Sequence, residues 1–154
     1  MRDTLEHLLR DLGNEAGLGA LELDEAGYCG LVFDRKIDVG VLLSSDERGV
    51  RLFSTVGELR DEDVTKAYRQ LLLANHFWQQ TGGGTLCLDD TLEPHEAGTV
   101  LLIRELPLAG LESSAFRDMV TVFVDAVEFW QARLATSPDQ WVSADELNDA
   151  GVRV

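Results

Sequence analysis

Only a handful of residues in this chain are of a type that does acid–base, nucleophilic or metal chemistry, and their spacing removes each possibility in turn. His7, His76 and His95 stand far apart, with no metal-ligand spacing around any of them. Cys87 with His76 is a conceivable nucleophile and base, but no motif accompanies the pair. Gly82-Gly83-Gly84 invites a phosphate-loop reading. No Gly-Lys-Ser/Thr follows it, however, and the glycines close a helical pattern where a phosphate loop would open one. The acidic clusters Asp61-Glu62-Asp63 and Asp89-Asp90 fall at a helix N-terminus and a turn, where local electrostatics already favour carboxylates. The alternating oxygen ligands of an EF-hand loop are missing. The residues compose no catalytic constellation and call for neither cofactor nor metal. The expectation is a binding protein rather than an enzyme.

Bulk properties narrow what it binds. A chain of 154 residues suits one domain, and 45% hydrophobic content suits a packed core. The net charge is −15 and the pI about 4.4. Such a surface repels phosphate backbones, and the 13 Lys and Arg form no basic patch, so nucleic acid is not the expected partner. Acidity fits a protein that carries or sequesters a basic or apolar partner, and equally a surface charged only for solubility. The N-terminal MRDTLEHLLRDLG lacks the unbroken apolar run of a signal peptide, and no stretch approaches the ~20 apolar residues of a membrane span. Cys29 and Cys87 are too few for a disulfide framework. A reducing cytoplasm with small buried thiols is the expectation.

The elements are organised around residues 63–88. The pattern predicts one amphipathic helix, a glycine stop and a short strand. Val64, Tyr68, Leu71, Leu72 and Asn75 form a core-facing stripe, while Ala67, Leu71, Ala74 and Trp78, with Leu73 and Phe77 beside them, cover much of the remaining circumference. A helix so apolar must be buried on two sides. One meets the sheet, and the other meets either a second copy of the chain or more of its own core.

Around this centre, Asp3 and Glu6 are placed as a capping box for a first helix with the stripe Leu5, Leu8, Leu9, Leu12. Residues 18–23 read as a first strand. Alternation then predicts strands at 28–34, 37–43 and 50–56, joined by acidic turns too short for crossovers. Residues 85–89 and 99–106 pair as a hairpin around Pro94 and Gly98, the second strand lying mid-sheet. Ser113 or Ser114 is placed to cap a helix over 115–134 with the stripe Phe116, Met119, Val120, Phe123, Val127, Trp130 and Leu134. The order is α-β-β-β-(β)-α-β-β-α: a single α+β domain over 1–137, three helices on a twisted antiparallel sheet, then an acidic tail over 138–154.

The run Leu71-Leu72-Leu73-Ala74-Asn75-His76-Phe77-Trp78, then Thr81-Gly82-Gly83-Gly84-Thr85-Leu86 and Leu88-Asp89, resembles the signature of bacterial type III secretion chaperones of the Tir-chaperone (CesT) type. Arg104-Glu105-Leu106-Pro107-Leu108 and the final helix with Phe123 and Trp130 extend the likeness over roughly residues 5–134. The resemblance implies a cytoplasmic homodimer that binds the N-terminal region of a secreted effector and holds it non-globular for export. It implies a dimer contact on the central helix at Leu71, Ala74, Asn75, Phe77 and Trp78. It implies effector contact on the first helix and sheet face, at Leu5, Leu8, Leu9, Leu18, Leu21, Leu23 and Phe33, although the first-helix leucines read equally well as core. Some members with a similar Glu-Phe-Trp-Gln segment bind an anti-activator, which adds a secretion regulator as an alternative partner.

Overall fold

The computed structural model describes residues 1–60, 62, 64–89 and 98–141. In chain order it contains α1 (Arg2–Ala16), β1 (Tyr28–Phe33), β2 (Ile37–Leu43), β3 (Gly49–Glu58), α2 (Val64–Ala74), β4 (Thr85–Leu88), β5 (Thr99–Pro107) and α3 (Ser113–Leu134). Short 3-10 turns follow α2 at His76–Thr81 and α3 at Pro138–Gln140. This is the expected α+β architecture. The five strands form one antiparallel sheet in the order β1-β2-β3-β5-β4, with β5 mid-sheet.

Alternation assigns the two faces. Cys29, Leu31, Ile37, Val39, Val41, Val50, Leu52, Val100, Leu102 and Leu106 point inward and are buried. Over them α3 lays Phe116, Val120, Phe123, Val127, Trp130 and Leu134, crossing β3 and β2. Helix α1 adds Leu5, Leu8, Leu9 and Leu12 to the same core. It is tied to α3 by Ser113 Oγ donating to Asp11 and by Arg117 paired with Glu15. Each such buried side chain contributes about 1.5–3 kcal/mol.

No described helix covers the opposite face. Tyr28, Val32, Asp38, Arg51, Thr55, Glu105 and Thr85 are exposed there, and Leu42, Phe53, Leu101, Ile103 and Cys87 are half-buried. A single cross-strand row, Gly30, Gly40, Phe53, Ile103 and Thr85, spans all five strands. The tip of the Phe53 ring lies over Gly40, so close that any Cβ there would collide with it. The Tyr28 hydroxyl covers Gly30 less closely, 3.1 Å from where a Cβ would stand.

Four local expectations are corrected. Residues 18–23 form no strand. After Gly17 ends α1 in the left-handed region (φ 66°), the chain turns back along the helix. It runs so near that Gly13 is pressed against the Gly19 carbonyl and the Leu21 side chain. Leu21 and Leu23 face the core without a ladder partner, and the Leu23 and Asp24 carbonyls accept from Arg2. The capping box at Asp3 is absent, because α1 already starts at Arg2, and Glu6 binds Arg2 instead. Ser113 is likewise no cap, its hydroxyl being taken by Asp11. The central helix, finally, stops at Ala74 instead of running on to the glycines.

Gly40→Ala should force the Phe53 ring off the sheet and cost about 1–3 kcal/mol. Urea unfolding should show a smaller loss when the same change is made on a Phe53→Ala background, since the colliding ring is then gone.

Candidate functional site

Helix α2 lies against edge strand β4 and the 138–140 turn. Its phase turns Ala67, Leu71 and Ala74 inward, which leaves Leu72 and Leu73 on the outside. Beyond Ala74 the backbone breaks. Phe77 (φ 56°, ψ 13°) and Trp78 (φ 53°, ψ 16°) both take the left-handed conformation. For residues with a Cβ this costs about 1–2 kcal/mol each, and two in succession persist only when their surroundings hold them.

Those surroundings are specific. Trp78 N–H donates to Asn75 O at 3.1 Å, and Gly83 N–H to Trp78 O at 3.2 Å. The fully buried Thr81 hydroxyl lies between the Trp78 and Gly84 carbonyls. Trp78 Nε1 donates to Thr85 Oγ1 at 3.1 Å, joining the turn to the end of the open-face row. From α3, Trp130 Nε1 donates to Gln80 O at 2.9 Å. From β5, Arg104 donates to Gly82 O at 2.8 Å, and burial holds its guanidinium below the usual arginine range. Gly82 (φ 58°) and Gly83 (φ 80°) then reverse the chain into β4, as the glycine triplet implied.

The outcome is a display. Leu72 is 72% exposed, Leu73 51%, Phe77 72% and Trp78 52%. Four large apolar side chains in wet positions on one helix and its following turn are the signature of a surface made to be covered. Asn75 does something different. Its amide donates to Leu86 O (3.0 Å) and accepts from Leu86 N–H (2.8 Å), so one side chain satisfies the free edge of β4 as a neighbouring strand would.

The structure therefore revises the residues read from sequence. Of the expected dimer contacts, Phe77 and Trp78 are exposed, Leu71 and Ala74 are buried within the chain, and Asn75 serves β4. Leu72 and Leu73, absent from that set, are exposed beside them. Only the helix phase could have found them, and Leu71 follows either phase. Of the expected effector contacts, Leu5, Leu8 and Leu9 are sealed in the core and offer no surface, while Leu18, Leu21, Leu23 and Phe33 are half-buried.

The chemically capable residues are dispersed. His7 is exposed and 3.5 Å from Asp11, and His76 lies against the Phe77 ring at 4.3 Å. His95, Asp61, Asp63 and Asp90 lie outside the described residues. Cys87 is half-buried, and burial pushes the Cys29 thiol up, away from thiolate chemistry. Among the described residues, no group of His, Cys, Asp and Glu is placed to hold a metal ion, and no helix is long and apolar enough to cross a membrane.

A one-sided sheet backed by two helices, with a third helix and its turn displaying unburied apolar side chains, is the α+β architecture of secretion-chaperone structures. The chain belongs to the Tir chaperone protein (CesT) family, whose sequence profile matches residues 7–131. It is 28% identical over 137 residues to the transcriptional anti-antiactivator ExsC of Pseudomonas aeruginosa, covering 88% of this chain and 89% of that one. Its fold is similar to the crystal structure of the ExsC–ExsE complex, with a TM-score of 0.71 at 26% identity over 87% of this chain and 96% of that one. It is also similar to the HopA1–SchA chaperone–effector complex, with a TM-score of 0.68 at 15% identity over 85% and 95% of the two chains.

Asn75→Ala should leave both Leu86 backbone groups without their partner and cost about 1–3 kcal/mol. Hydrogen exchange should show the Leu86 amide losing protection ahead of its neighbours in β5.

Proposed function

We propose that this chain is a cytoplasmic type III secretion chaperone that works as a homodimer. In this reading it binds the N-terminal segment of a secreted effector and keeps that segment non-globular, soluble and export-competent. The observation that carries the reading is the wet apolar patch of Leu72, Leu73, Phe77 and Trp78, continuous through Trp78 and Thr85 with the open sheet face. The patch joins two copies. The open face, with Tyr28, Val32, Leu42 and Phe53, and the half-buried Leu18, Leu21, Leu23 and Phe33 meet the client.

The physical account is simple. An unfolded segment cannot hide its own apolar side chains, and each Leu or Phe it buries on a partner is worth about 1.5–3 kcal/mol before the cost of ordering. Among the described residues, Asn75 closes the β4 edge, whereas Gly30 and Val32 at the β1 edge keep outward backbone groups for strand addition. The net charge of −15 keeps a loaded complex soluble and favours basic clients.

A second reading is supported by the likeness to ExsC, which is described as an anti-antiactivator and is seen in complex with ExsE. On the same scaffold this chain would then bind a small secretion regulator and couple export to transcription.

Sedimentation tests the patch. The wild-type chain should be dimeric, and Trp78→Glu and Leu72→Glu should each shift it to monomer while circular dichroism stays unchanged. A single wild-type copy in dilute solution would overturn the dimer. Co-expression with candidate partners separates the two readings: capture of an extended effector N-terminus supports the chaperone, and capture of a small regulator supports the adaptor.

A further inference from the structure

Beyond α3 the chain does not leave the domain at once. At the 3-10 turn opened by Pro138, Gln140 N–H donates to Ser137 O at 2.8 Å and Trp141 N–H to Pro138 O at 3.2 Å. The turn lays Trp141 into a slot with Ala67 of α2, Leu134 of α3 and Leu59, where the side chain is 7% exposed. Its ring meets Trp130 edge-on, with centroids 6.1 Å apart and planes at 83°. Asp139 reaches Lys66 of α2 at 2.7 Å. The segment therefore grips α2 from behind the apolar patch. Through Trp130, which donates to Gln80 O, it also backs the turn that displays Phe77 and Trp78.

One atom sets this docking apart from ordinary core packing. The Trp141 Nε1–H is buried and has no acceptor among the described residues, beside a cavity of about 90 Å³. A buried donor without a partner penalises the docked state, whereas water would satisfy it on release. The Lys66–Asp139 ion pair that ties the segment to α2 is weak, since both members are more than half exposed. Helix α2 has only 11 residues, too few to hold its shape alone, and three buried side chains, Ala67, Leu71 and Ala74, anchor it.

We propose that residues 137–141 form a releasable strap that sets how firmly α2 and its turn present the apolar patch, and with it the patch's affinity for its partner. Docked, the strap holds the patch preorganised. Released, it lets α2 fray, and association must then supply the ordering. The link to affinity rests on the reading under Proposed function, but the coupling of strap to helix does not.

Hydrogen exchange on the full chain tests the strap with two variants. In Trp141→Ala, amides of residues 67–75 should exchange about tenfold faster while those of β3 and β5 keep their rates. In Trp141→Phe, which keeps a ring and removes the orphaned N–H, the same amides should exchange as slowly as wild type or more slowly. Unchanged exchange in Trp141→Ala overturns the strap. So does Trp141→Phe accelerating α2 as Trp141→Ala does, because that is the behaviour of plain core packing. Should Trp141→Ala fail to fold, Trp141→Phe decides by the same criterion. Sedimentation of the same variants reads the second half: self-association should weaken several-fold in Trp141→Ala. If exchange responds and association does not, the link to affinity falls and the strap stands.

Discussion

Two aromatic residues in succession occupy a backbone conformation that disfavours them, and most of what distinguishes this molecule's surface follows from that. Left alone, residues 75–81 would continue α2 toward the glycines, and Trp78 would fall on the inward stripe with Ala67, Leu71 and Ala74. The left-handed pair at Phe77 and Trp78 ends the helix early and turns both rings outward. Nothing local favours this. It is imposed by hydrogen bonds arriving from three directions: Thr81 within the turn, Trp130 from α3 and Arg104 from β5. The strain is held by a rigid scaffold at an exposed apolar surface.

The scaffold supplies that rigidity because its layers are unequal. One sheet face is covered by α1 and α3 and carries nearly all of the buried aliphatic surface. The other carries glycines overlaid by aromatic rings, a smooth and thinly protected surface among the described strands. A fold of this kind can hold an exposed apolar patch because its stability comes from the opposite side. Charge completes the division. With 28 acidic against 13 basic side chains, the surface is strongly negative, and like-charged surfaces repel one another at a distance.

Much of this was legible in the amino-acid order, and the failures are informative. The β1–β3 meander, the β4–β5 hairpin and α3 came through because period-2 and period-3.6 patterns there were bounded by clear turns. The core stripe of α3 was correct throughout, with Met119 half-buried and packed at its margin. Residues 18–23 misled because Leu21 and Leu23 do point inward, but toward a core that α1 had already closed, so no ladder was needed. The break after Ala74 was invisible because Asn-His-Phe-Trp-Gln-Gln contains neither glycine nor proline, and tertiary contacts override local propensity there. Helix phase was the other limit. In Leu71-Leu72-Leu73 the composition is the same inside and out, and only packing against β4 decides which leucine is core.

The left-handed pair also bears on how such a sequence can drift. A glycine at position 77 or 78 would relax the backbone and raise the stability of the lone chain, yet it would delete a ring from the display. Selection for hardiness and selection for partnership thus pull opposite ways at the same two codons. A lineage that lost its partner would be free to relax there, and one that kept it would go on tolerating a contorted peptide.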